Sequence, residues 1–96
     1  MNTYKLLCND IQIKYPSDLA RLISSLKKSV TDGEFEQFWP VNAPFATEAK
    51  LSDVNETGPW PADYIEWYFL SSIDKKVYQL TVETYHGTGG HWKVVD

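Results

Sequence analysis

Residues 64–84 read YIEWYFLSSIDKKVYQLTVET. Ile65, Trp67, Phe69 and Ser71 take every second position, and Tyr78, Leu80 and Val82 do the same after the polar pair Asp74-Lys75. Successive side chains of a strand point to opposite faces, so this pattern predicts two strands that share one apolar face and turn at Asp74-Lys75. A tight turn there sets Phe69 across from Leu80 and Trp67 across from Val82, pairs that should anchor a core.

Towards the C-terminus, Gly87-Thr88-Gly89-Gly90 predicts a second turn, leading to Trp92 and Val94. A three-residue loop with a left-handed glycine puts Trp92 opposite Thr84 and Val94 opposite Val82, on the apolar side; an even loop would turn both away. At the other end, Tyr4, Leu6 and Cys8 alternate before Asn9-Asp10, and Ile11, Ile13 and Tyr15 alternate after it. That spacing predicts a hairpin with all six side chains on one face, Cys8 pointing inward with Leu6 and Ile11. A single strand bent at a bulge is the alternative.

Between these strands lies a helical pattern. Leu19, Leu22, Ile23, Leu26 and Val30 recur at the spacing of one helical face. Ser17 is the expected cap, with Asp18 beside the positive end of the dipole, Lys27 and Lys28 near the negative end, and Gly33 as the stop. Residues 34–63 are less legible. Phe35, Phe38 and Trp39 fit a short helical turn before Pro40, our preferred reading, although Phe35 and Trp39 also fit alternate strand positions. Residues 46–54 suggest a short edge strand, and 55–61, with Gly58-Pro59-Trp60-Pro61, an exposed loop. The expected fold is a single α+β domain over residues 1–96, in two layers: one main amphipathic helix packed on an antiparallel sheet of four to six strands.

Ninety-six residues leave no room for a second core. No apolar run approaches the roughly 20 residues that cross a bilayer, and the opening residues lack a secretory signal, so a cytoplasmic protein is expected. One cysteine excludes an internal disulfide and cannot alone build a zinc site. The formal net charge of -4 argues against nucleic acid, since each phosphate contact needs a cation. The acidity is also local. Residues 31–70 hold Lys50 against Asp32, Glu34, Glu36, Glu48, Asp53, Glu56, Asp63 and Glu66, whereas residues 1–30 are net positive. Folded onto one face, that middle segment would attract a basic partner; otherwise its carboxylates simply keep the chain in solution.

Catalytic readings are weaker. His86 and His91 flank the glycine run and would approach across a hairpin, but no third metal ligand stands at a familiar spacing. Gly-Thr-Gly-Gly joins two strands rather than a strand and a helix, so turn geometry explains it better than phosphate binding. Ser71 and Ser72 lack the glycine-flanked elbow of a serine hydrolase. Asp63 and Glu66 beside Trp60 and Trp67 imitate a sugar-cleaving site, in a chain small for such a cleft. We therefore expect no catalytic residue, no metal and no cofactor.

Fourteen aromatic residues exceed what one helix on one sheet obviously needs, so some should be exposed or line a groove. Trp60, held between prolines, is the expected anchor, or else it folds back over a sheet edge. The leading expectation is a non-enzymatic protein that masks a basic protein partner through Glu34, Glu36, Trp39, Trp60, Asp63 and Glu66. In size and acidity it resembles small bacterial immunity or antitoxin-like inhibitors, a resemblance of type that carries no residue roles. The alternative is a small-ligand domain in which Trp39, Trp60, Trp67 and Tyr68 line an apolar pocket between helix and sheet. Spare aromatics and sheet edges would also allow a homodimer.

Overall fold

The computed structural model describes residues 6–85 and 88–95. Its elements are β1 (Ile11–Ile13), α1 (Pro16–Thr31), β2 (Phe35–Phe38), a 3-10 turn (Leu51–Asp53), β3 (Tyr64–Ser71), β4 (Val77–Glu83) and β5 (Thr88–Val94). The five strands form one sheet in the order β1-β5-β4-β3-β2, with every neighbouring pair antiparallel. One helix against five antiparallel strands is an α+β fold. Among the described residues no helix is long and apolar enough to cross a membrane.

The alternation in β3 and β4 selects the face that meets the helix. Ile65, Trp67, Phe69, Tyr78, Leu80 and Val82 are buried together with Ile13, Phe35 and Trp92 and with Leu19, Leu22, Ile23 and Leu26 of α1. The aromatic rings interlock. Tyr78 stacks on Trp92 with centroids 5.3 Å apart, and Phe35 meets both rings edge-on at 5.3 and 5.6 Å. Five of the aromatics are thus consumed by the core.

The face of the hairpin is as expected, but its register is displaced by two residues. Phe69 lies across from Tyr78, Trp67 from Leu80 and Ile65 from Val82. The turn is wider than Asp74-Lys75. Ser71 donates its N–H to the Lys76 carbonyl at 2.9 Å, and its hydroxyl accepts from the amides of Ile73 and Asp74 at 3.2 Å each. An even displacement keeps every side chain on its own face, so burial does not oppose it. Trp92 points inward as expected, but lies across from Leu80 rather than Thr84. Val94 lies across from Tyr78 at the sheet margin, half-exposed. A bulge between Thr81 and Glu83 moves this register. Thr88, Gly89 and Gly90 belong to β5 rather than to a turn.

The N-terminal hairpin is not formed as expected. Leu6 and Leu7 are helical, and β1 pairs with β5, Ile11 opposite Trp92 and Ile13 opposite Gly90. Leu7 takes the buried place and Cys8 is exposed, because the helical turn breaks the alternation that would have turned Cys8 inward. Tyr4, the first residue of that expected strand, lies outside the described residues.

Gly33 stops helix α1 as expected. Gly33 has φ 79, its N–H reaches the Val30 carbonyl, and the Glu34 N–H reaches the Ser29 carbonyl, a Schellman closure. Its start differs. Pro16 fills the first helical position and Tyr15 precedes it, so Ser17 falls inside the first turn and does not cap. Asp18 does the work from the third position, its carboxylate accepting the amides of Lys14 and Tyr15 at 3.0 Å each.

Two further expectations fail between residues 34 and 54. Phe35–Phe38 is a strand, not a helical turn, because it completes the edge of β3, with Phe35 opposite Ser71 and Phe38 opposite Tyr68. Residues 46–54 do not form an edge strand. Leu51 and Val54 are buried three residues apart, the spacing of a turn, and the Gln37 side chain takes the bonds a neighbouring strand would make. Its amide donates to the Ala49 carbonyl and its carbonyl accepts from the Leu51 N–H at 2.8 Å.

Candidate functional site

The same alternation that fills the core produces a second face. Opposite the helix, β2 presents Glu36 and Phe38; β3 presents Tyr64, Glu66, Tyr68 and Leu70; β4 presents Val77, Gln79, Thr81 and Glu83; β5 presents His91 and Lys93. No described helix covers this face.

Across its middle runs a chain of hydrogen bonds through three strands. Gln79 donates its amide N–H to the Tyr68 hydroxyl at 3.0 Å, and Tyr68 donates to the Glu66 carboxylate at 2.8 Å. That orientation turns the Gln79 side-chain oxygen to His91 Nε2, 3.2 Å away, so Nε2 carries the proton and donates. The Thr81 hydroxyl lies 3.1 Å from the same nitrogen. Every proton in the chain therefore points towards Glu66. Desolvation, with Lys93 adding and Asp10 opposing, lowers the pKa of His91 and keeps the imidazole neutral near neutral pH. Desolvation, then the hydrogen bond with Glu66, raises that of Tyr68, which stays a phenol.

Beside this chain lies a groove of about 500 Å³, lined by Phe38, Pro40, Asn42, Ala43, Tyr68, Val77 and Val95. Its far wall is the 39–47 loop, closed where Trp39 donates its indole N–H to the Thr47 carbonyl at 2.8 Å. Thr47 then clamps β3 at Glu66, donating its amide to the Glu66 carbonyl and accepting the Glu66 N–H on its hydroxyl, both at 2.9 Å. Val41 and Phe45 stand exposed on the loop.

The residues singled out from the sequence are only partly brought together. Glu36, Glu66 and Tyr68 share the uncovered face, and Trp39 holds its margin. Glu34 lies at the end of α1, where it accepts the Ser29 hydroxyl at 2.9 Å. Asp63 is exposed just before β3. Trp60 packs partly buried against the core and, with Pro16, Leu19, Thr84 and Tyr85, lines a separate cavity of about 470 Å³ near the start of α1. Trp67 is sealed in the core and cannot share a pocket with Tyr68, since neighbours along a strand face opposite ways. Gln79 and Thr81 were missed, and His91 was weighed only as a metal ligand beside His86. Their signal lay in the outward positions of the same strands, which alternate as strictly as the inward ones.

Among the described residues no three histidine, cysteine or acidic side chains gather to hold a metal ion. The expected approach of His86 to His91 falls outside the described residues. No family model, curated protein or solved structure matches the chain significantly.

Proposed function

We propose that this chain is a non-enzymatic binding protein that masks a basic protein partner, docked on the uncovered face of its sheet. The observation that carries the reading is the charge of that face: its strands present Glu36, Glu66 and Glu83 against Lys93, with His91 held neutral. Such a face steers and orients a cationic protein, and the half-exposed rings of Phe38 and Tyr68 supply apolar contact. The test begins with a partner captured by the tagged chain, identified and purified, then titrated against wild type and the triple variant Glu36→Gln, Glu66→Gln, Glu83→Gln. Three lost pairs weaken binding about tenfold, and the salt dependence shrinks with them. Unchanged affinity and salt slope remove the reading.

A second reading rests on the groove, whose volume falls in the range of small-molecule sites. Thermal-shift screening separates the two: a small molecule that raises the melting temperature with concentration, and loses its effect in Val77→Asp, would place a ligand there.

A further inference from the structure

We infer that Glu66 receives one arginine side chain of the basic partner, a point that rests on the reading above and gives the partner a chemistry. The hydrogen-bond chain sets the polarity. Because His91, Gln79 and Tyr68 each donate towards Glu66, one carboxylate oxygen is taken by Tyr68, and the other, which accepts no hydrogen bond from a described side chain, is left for an incoming group. That group must be a donor.

Charge narrows it further. Glu66 is half-buried, while Arg21 pairs with Asp18 and Lys28 with Asp32 along α1 and at its end. No described lysine or arginine neutralises Glu66. A carboxylate partly withdrawn from water and fixed by a donor gains more from a cation than a fully solvated one does. Its backbone is held as well, by Thr47 on both the N–H and the carbonyl, so the acceptor is preorganised.

Shape then favours guanidinium over ammonium. Tyr64 and Tyr68 flank Glu66 two positions away on the same face, about 7 Å along the strand on either side. Tyr64 is more than half exposed. A planar guanidinium pairs with the carboxylate edge-on while lying against a ring, which a compact, strongly hydrated ammonium does less well.

Titration of the ¹⁵N-labelled chain with acetyl-Gly-Arg-Gly-amide and acetyl-Gly-Lys-Gly-amide, followed by ¹H–¹⁵N spectra, tests this. The arginine peptide shifts the amides of residues 64–68 and Gln79 saturably, and the lysine peptide binds about threefold more weakly. Glu66→Gln, which keeps the shape, abolishes the shifts; Tyr64→Leu erases the arginine preference; Tyr68→Phe, cutting the chain, weakens binding without abolishing it. Dispersed spectra of each variant report its fold. Equal affinity for the two peptides, or binding that survives Glu66→Gln, overturns the assignment. A nine-residue lysine peptide separates this from the broader reading. If it binds the face and is weakened by Glu36→Gln with Glu83→Gln while Glu66→Gln leaves the arginine peptide unaffected, the arginine site falls and the basic partner stands. If neither peptide binds, both fall.

Discussion

Trp92 donates its indole N–H to the backbone carbonyl of Leu7 at 2.7 Å inside the core, joining residues 85 positions apart. Trp67, buried as deeply, has an indole N–H that meets no acceptor among the described residues. The two tryptophans therefore respond differently to loss of the N–H. Trp92→Phe leaves a buried carbonyl unpaired and a smaller ring in its place, and costs about 3 kcal/mol. Trp67→Phe removes an unpaired donor along with the lost volume and costs about 1 kcal/mol. Urea unfolding with unchanged slopes reads both; equal costs would contradict this assignment of the hydrogen bonds.

Gly90 and Gly89 adjoin but are constrained differently. A Cβ on Gly90 would press on the Thr81 carbonyl and come within 2.7 Å of Val82 Cβ, so β5 would have to leave β4. Gly90→Ala is expected to destabilise by about 3 kcal/mol. Gly89 has open space but φ 73, so Gly89→Ala costs only the backbone preference, about 1 kcal/mol, and Gly89→Asn less. Thermal unfolding of the three variants checks the order.

The inward faces of β3, β4 and α1 were legible because burial repeats every second residue in a strand and every third or fourth in a helix. Register was not. The displacement by two that sets Trp67 opposite Leu80 leaves every face unchanged, and it is decided by the hydroxyl of Ser71 in the turn. Phe35–Phe38 is too short for periodicity to arbitrate, and its strand exists because β3 offers an edge. The site was legible at Glu36, Glu66 and Tyr68, through charge and aromatic content. Gln79 and His91 meet only in the β4–β5 register that the bulge between Thr81 and Glu83 sets, and no local pattern states that bulge.

Asp18 makes the start of α1 sensitive to acid. The amides of Lys14 and Tyr15, then Arg21 at 2.7 Å, hold its pKa below the ordinary aspartate value. A depressed carboxylate contributes stability above its unfolded pKa, near 4, and that contribution fades as pH falls through the lower folded value. Wild type is expected to lose stability over that range more steeply than Asp18→Asn, which starts lower and lacks this contribution. Urea midpoints between pH 5 and pH 2 compare the slopes; parallel curves would show that the carboxylate does not cap the helix.

His91 links the proton chain to pH nearer neutrality. Desolvation lowers its folded pKa below the unfolded value of about 6.5, so between the two the unfolded chain takes up a proton that the folded chain refuses. Stability therefore declines as pH drops from above 7 through the folded pKa, where the ring finally charges, and is independent of this residue above that window. His91→Gln, which does not titrate, flattens the decline. Protonation of the folded ring adds a positive charge to the acidic face, beside Lys93 and within the chain that ends at Glu66, so affinity for a basic partner should fall as pH drops through the folded pKa, at the lower edge of that window. Imidazole Cε1–H shifts of the ¹³C-labelled chain give the midpoint. A midpoint at or above 6.5, or an identical stability profile in His91→Gln, would mean that the imidazole is not held neutral by its place on the sheet.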